Sequence, residues 1–562
     1  MNDLDFTGNP ISDEAETGAP VCVTAPVHSE QAEASLSASV ARSTGAVSGE
    51  READVSRLAA GAGIALGGKL IGRTVRLGVD VVLAHILGPA SFGLYAIGWV
   101  TIRLITLVSP LGLDSGVIRF ASPCWKQDQG MLKGVMNQSL ELSTFSGLVL
   151  GVLFYFLAPW LGGTVFSQPM LTPVFRGFAF ALPLITCLRV ASAATRVSQR
   201  MKFSVYAEEI CPPALALLLI VAFYLCGMKL DGVLIAFVFS FGLSLILAIH
   251  YMRQLFPEIA SEEVKPVFAG KELFLFSLPA SFSIVFGMLL LWVDRLFVGY
   301  YRSSVDAGIY HAASQLSIAL AVVLSAFGAI ITPMIAQLFH RGRKERLEEL
   351  FRVSTKWSLY VSIPPFLLMC FVPHEIMSVI FGKAYGIGWI ALPILGLGQL
   401  INSGTGPVGT LLVMTGSQNR ISALTGLMLL ANIVAAIWLV PRWGMLGAAI
   451  GTMSTVSALC ILSVWMAQRT LGVWPYDRRY IKGAAAAIFT TVALLLVNQL
   501  PVGLASLQLA CAAIVSIIVF AVALILLGLD SEDREFIGLI LNRLLPEARS
   551  RQIMSIVAGK DF

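Results

Sequence analysis

Apolar runs of roughly 20 residues, parted by short polar stretches, recur along most of this chain, and each has the length that crosses a hydrocarbon core of about 30 Å as a helix. Fourteen such spans are predicted: 58–87, 92–118, 134–160, 173–195, 205–227, 231–252, 272–300, 307–337, 353–372, 386–414, 421–440, 444–467, 481–500 and 505–529. The runs are rich in Leu, Ile, Phe, Ala and Gly and lack sustained strand-type alternation, so helices are expected and not a barrel. The expected fold class is therefore an all-α polytopic membrane protein. Two stretches escape the pattern. Residues 1–57 are polar, acidic and rich in Ser and Ala, and are expected to be a disordered cytoplasmic tail. They lack the basic start and apolar core of a cleavable signal, which leaves insertion to the first apolar helix. Residues 531–562 carry apolar residues on one face with arginines around it, the pattern of an amphipathic helix lying on the cytoplasmic surface.

Composition agrees with that pattern: 56% of the 562 residues are hydrophobic and 13% charged, which excludes an ordinary soluble protein of this size. The net charge of +5 speaks to orientation, since no compact basic, aromatic-bearing domain is left over for nucleic acid. Loops after odd-numbered spans hold only Lys229, Arg302, Lys383 and Arg442, whereas those after even-numbered spans hold most of the loop cations, RGRKER at 341–346 among them. The positive-inside rule then places the even loops and both termini in the cytoplasm. The eight cysteines are scattered and form no CxxC, so neither a disulfide framework nor a metal site is expected. No GxxxxGK[ST] motif is present, so no ATP site or other cofactor is predicted.

The chain also repeats itself. Val79-Asp80, followed by Gly93-Leu94-Tyr95-Ala96, returns as Val293-Asp294, followed by Gly308-Ile309-Tyr310-His311, at an offset of 214 to 215. Leu230-Asp231-Gly232 aligns with Met445-Leu446-Gly447, and SQRMK at 198–202 faces GSQNR at 416–420, at nearly the same offset. Two six-span lobes are implied, at 58–255 and 272–468, joined by a cytoplasmic linker at 256–271 and followed by two extra spans at 479–530. Six is even, so both lobes enter from the same side and are parallel repeats about an axis along the membrane normal. Such lobes suit alternating access around a central site.

Candidate chemistry lies in the first span. Lys69, Arg73, Arg76 and Asp80 recur at i, i+4, i+7 and i+11, which at about 100° per residue puts them on one narrow face. A charge at the bilayer centre costs roughly 2.5 to 3.5 kcal/mol on insertion scales, so this face requires a wet cavity or mutual pairing. Two guanidinium forks a turn apart match a pyrophosphate, with Lys69 and Arg103 assisting and Asp80 fixing the arginine rotamers as an i, i+4 partner. Asp80 and Asp294 are the carboxylates available to exchange a proton or sodium ion, although a carboxylate near arginines has its pKa lowered and reads first as a fixed counter-charge. Arg189 either lines the cavity or reaches the cytoplasm. Prolines within spans, among them Pro110, Pro183, Pro333 and Pro407, are candidate hinges.

The segment LAHILGPASFGLYAIGWVTIRLITLVSPLGLDSGVIRFAS at 83–122 resembles the opening of Wzx-type polysaccharide flippases of the multidrug/oligosaccharidyl-lipid/polysaccharide exporter superfamily. LVPRWGMLGAAIGT at 439–452 resembles that family's motif between the eleventh and twelfth spans. The resemblance implies a V-shaped pair of six-helix lobes in the bacterial inner membrane. It also implies transfer of an undecaprenyl-pyrophosphate-linked oligosaccharide from the cytoplasmic to the periplasmic leaflet for exopolysaccharide, capsule or O-antigen synthesis, alongside polymerase and export proteins. In the related lipid II flippases first-span arginines are thought to engage pyrophosphate, and Arg73 and Arg76 sit in the comparable region; there an Arg-Asp pair is adjacent, whereas Arg76 and Asp80 are four apart. Two alternatives are a multidrug cation antiporter, which needs an anionic cavity, and a non-transporting scaffold for membrane glycosyltransferases, which needs no intramembrane charge. An enzyme is not expected, because the periplasmic loops are short.

Overall fold

A computed structural model describes the backbone of residues 29–533 except 126, 260, 269, 500–503, 529, 531 and 532, and, with few exceptions, side chains from 63 onward apart from those of 270–284. Residues up to Ala59 form one compact unit and Ala60 onward a second, which holds all that follows. The elements run α1 (Ser29–Val108), α2 (Leu113–Cys124), α3 (Gln129–Trp160), α4 (Leu171–Arg196), α5 (Met201–Ser204), α6 (Cys211–Leu225), α7 (Leu230–Leu255) and α8 (Gly270–Tyr301). They continue with α9 (Ser304–His340), α10 (Lys344–Phe371), α11 (Pro373–Ile380), α12 (Ala391–Gly404), α13 (Val408–Met414), α14 (Gln418–Trp443), α15 (Met445–Leu471), α16 (Tyr480–Asn498) and α17 (Ala505–Leu526). No strand occurs among the described residues.

The predicted count of fourteen spans is not confirmed among the described residues, although the predicted segments fall largely on helix. Among the described residues eleven helices are long and apolar enough to cross a membrane, or twelve if α10 and α11, bent by 91°, count as one span. One reason is that the first two predicted spans fuse into the single stretch Leu66–Cys124. The break between them is confined to Gly88, at φ 68° and ψ 172°, after which Pro89 re-enters the helix at once. Glycine supplies the positive φ and proline the fixed φ of a first helical turn, so no loop is needed. Of the expected disordered tail, residues 1–28 lie outside the described residues, while 29–57 belong to α1. The amphipathic segment expected at 531–562 also lies outside the described residues, Asp533 excepted.

The sequence repeat is a structural one. In the first half α3 packs on α4, α4 on α7 and α6 on α7; in the second half the same pairings recur as α10 on α12, α12 on α15 and α14 on α15. The halves meet where the repeated motifs lie. A Cβ on Gly308 would sit 2.5 Å from the Pro89 carbonyl oxygen and 3.0 Å from the Cα of Gly93, and one on Gly93 would collide with the Ser304 carbonyl. Two repeat-equivalent glycines thus put the backbones of α1 and α9 in direct contact. Around them Phe92 meets the His311 and Tyr385 rings edge-on, at 5.6 and 5.9 Å, and Tyr385 donates to the Ala84 carbonyl at 3.2 Å.

The last two helices are tied to the second half by charge. Lys356, buried in α10, pairs with Asp530 at 3.1 Å and Asp533 at 2.8 Å, just beyond α17. Lys482 at the start of α16 also holds Asp530, at 2.7 Å, and the Trp357 indole donates to Asp533 at 2.8 Å.

Candidate functional site

The first-span cations stand on α1 as the spacing predicts: Lys69 and Arg73 are exposed, Arg76 is half-buried and Asp80 is buried. The helix reaches this position through close packing. A Cβ on Gly68 would strike Val205, and one on Gly72 would strike the Glu209 carbonyl, so small residues one turn apart seat α1 against the segment Val205–Ile210. That segment is a π-helical turn. Pro212 and Pro213 follow it and lack the N–H groups that would close regular helical bonds, which accounts for the looser turn.

The structure sorts the arginines of the first half into two kinds. Arg189 is paired with Asp114 at 2.8 Å and also donates to the Thr106 carbonyl at 2.5 Å, and Arg196 is paired with Glu208 at 2.5 Å. Arg189 is therefore a structural partner within the first half. Arg73, Arg76 and Arg103, with Lys69, take part in none of the ion pairs found among the described residues. Arg73 donates to the Ser325 hydroxyl of α9 at 3.1 Å, reaching across to the second half. Arg76 and Arg103 both lie over the Trp99 indole, 5.5 and 5.3 Å from its centroid, and Arg103 also lies 5.7 Å from the centroid of Trp292 on α8. A cation over an aromatic ring gains about 0.5–2 kcal/mol, yet it keeps its full charge and its in-plane N–H donors. Trp99 is itself fixed by stacking on Tyr95 and Phe241 and by a tilted contact with Phe237.

Asp80 does not pair with Arg76. Its carboxylate accepts from the Gln315 amide at 2.5 Å and lies 3.8 Å from the His311 ring, both on α9. Asp294, its repeat equivalent, accepts from Tyr310 at 2.7 Å and Thr452 at 3.0 Å and sits beside Arg295. Arg295 is fully buried, stacks 4.5 Å from the Trp292 centroid, donates to the Leu291 carbonyl at 2.6 Å and bonds the Ser314 hydroxyl. Asp80 is thus knitted into the contact between halves, whereas Asp294 is held within the second half. Sequence reasoning missed Trp99, Trp292, Arg295, His311 and Gln315. The signal for His311 and Gln315 was the repeat itself, which puts polar residues at 311 and 315 where Ala96 and Val100 stand in the first half.

A family model described as polysaccharide biosynthesis protein matches residues 82–386. The chain belongs to that family. It is 24% identical over 180 residues to the capsular polysaccharide biosynthesis protein CapF of Staphylococcus aureus, a match covering 32% of this chain and 46% of that one. It is 23% identical over 196 residues to the probable low-salt glycan biosynthesis flippase Agl15 of Haloferax volcanii, covering 35% of this chain and 42% of the other. These matches span about half or less of each relative. By fold the chain is similar to the lipid II flippase MurJ in an inward closed conformation, with a TM-score of 0.65 at 14% identity over 81% of this chain and 96% of that one. It is also similar to an inward-facing multidrug resistance transporter of the MATE family, with a TM-score of 0.62 at 14% identity over 73% of this chain and 98% of that one. Family and fold together give a multi-pass membrane protein of the polysaccharide biosynthesis family with a MurJ- and MATE-like fold.

Proposed function

We propose that this member of the polysaccharide biosynthesis family is a flippase for a prenyl-pyrophosphate-linked oligosaccharide, moved from the cytoplasmic to the periplasmic leaflet of a bacterial inner membrane. The observation that carries this reading is the set of cations without carboxylate partners, Lys69, Arg73, Arg76 and Arg103, on one side of the contact between halves. Phosphate is the ligand such a set is built for: planar guanidinium groups offer two parallel donors each, and a dianionic head group brings the charge that hydrocarbon refuses. Arg73 and Arg76 hold the pyrophosphate in this scheme, with Lys69 and Arg103 assisting. The lobes rock about the glycine contact, and Asp80 and Asp294 are the groups through which a proton or sodium ion is coupled. The remaining partners are membrane lipids and the polymerase and export proteins of one polysaccharide pathway. A cation antiporter on the same fold needs free carboxylates facing the substrate, whereas Asp80, Asp294, Asp114 and Glu208 are all engaged by protein groups.

The test is leaflet translocation of a pyrophosphoryl-prenyl oligosaccharide in vesicles holding the purified protein. Wild type is expected to translocate, and the folded Arg73→Ala, Arg76→Ala double variant to lose most of that activity. Equal rates for the two would remove the head group from this face, and no activity in either would remove the substrate class.

A further inference from the structure

Five side chains form an unbroken stack across the boundary between the halves: Arg76, Trp99, Arg103, Trp292 and Arg295, each cation within 5.7 Å of the ring or rings it covers. The first three belong to α1 and the last two to α8. Arg103 is the link, because its guanidinium touches one tryptophan from each half. Trp292 is half-buried, packs on one side against the main apolar core and lies under two cations. The repeat gives it no counterpart: position 78 in the first half is glycine, with nothing within 4 Å of where a Cβ would stand.

We propose that Trp292 is a positioning residue for anion binding, holding Arg103 between the halves with its charge and outer N–H donors unspent, so that the diphosphate group is gripped only while α1 and α8 are apposed. A carboxylate at position 292 would fix Arg103 as firmly but would neutralise it, as Asp114 does to Arg189 and Glu208 to Arg196. An aromatic face fixes the plane and leaves the edge for the ligand. When the halves part, Arg103 stays with Trp99 and loses Trp292, and the grip on the diphosphate weakens at the step where substrate must leave. Binding and lobe separation are then linked through one contact, as population shift requires of a ligand that prefers one state. This inference rests on the pyrophosphate reading above.

The experiment is equilibrium binding of inorganic pyrophosphate to the full-length purified protein in which Trp292 is replaced by tryptophans carrying one, two and three ring fluorines. Fluorination drains the face of the ring without changing its shape, so folding is preserved while the attraction for a cation falls. The expected result is a stepwise loss of affinity reaching about tenfold across the series, in keeping with a cation-aromatic contact. The same series at Trp438, which stacks on Arg442 away from this site, is expected to leave affinity unchanged. Wild-type affinity throughout the Trp292 series would overturn the proposal while leaving the pyrophosphate site intact. Absence of pyrophosphate binding in the wild type would instead overturn the site and the proposal with it.

Discussion

At the scale of single residues, what a charge is paired with matters more than where it falls. The spacing of Lys69, Arg73, Arg76 and Asp80 located a polar face on α1 and supplied the wrong partner for its one acid. An i, i+4 pair is worth only about 0.2–0.5 kcal/mol on an exposed helix, whereas a buried carboxylate denied a donor loses about 1–3 kcal/mol or more. Asp80 is buried, so it turns to the amide of Gln315, over 200 residues away. No local pattern encodes such a contact. Gln315→Leu is therefore expected to lower stability by about 1–3 kcal/mol, as is Asp80→Leu, with the double variant well short of their sum. Thermal unfolding of the three purified proteins checks this; strict additivity would mean that the two side chains act independently.

Elements were largely legible, because hydropathy marks where helices lie and the repeat marks how they pair. What hydropathy could not show is that a span boundary can vanish into one residue: Gly88 breaks α1 without a loop, so two predicted helices fuse. The repeat gave Gly93 and Gly308 as equivalents, but only the fold puts them against each other. A methyl at either position meets backbone, which cannot step aside as a side chain can, and overpacking of this kind costs about 1–3 kcal/mol. Gly93→Ala and Gly308→Ala are each expected to force α1 and α9 apart. In hydrogen exchange the amides of 90–98 and 304–311 should lose protection together in either variant, while those of α14 and α15 keep theirs. Unchanged protection in both segments would show that the contact relaxes at no consequence to the halves.

At the scale of the whole molecule, the two extra helices are held by Lys356, whose buried ammonium required partners that hydropathy could not supply. Burial alone would push the Asp530 carboxyl up, but hydrogen bonds and charge from Lys482 and Lys356 prevail and hold it below its ordinary value of 3.8. A carboxyl depressed in the folded protein stabilises fully above its ordinary value, and that stability disappears as pH falls through the lower, folded one. Docking of α16 and α17 should thus be indifferent to pH from 8 down to about 5 and weaken only in stronger acid. Replacing both acids, Asp530→Asn with Asp533→Asn, removes both carboxylates from the buried ammonium, and should lower stability at pH 7 by about 3–5 kcal/mol and flatten the acid limb of its unfolding curve. An unaltered acid limb would place the pH-sensitive contact elsewhere. The glycine contact has a broader meaning for the architecture. A position that touches its own counterpart is the signature of an axis in a two-fold homodimer, here written into one polypeptide. In a dimer of half-length chains, every substitution near that axis is made twice, and both sides must tolerate it. Fusion lifts this constraint: Ala96 and His311 have diverged three residues past the touching glycines, and one half is free to specialise in cations while the other supplies the tryptophan that covers Arg103 and the histidine and glutamine that face Asp80.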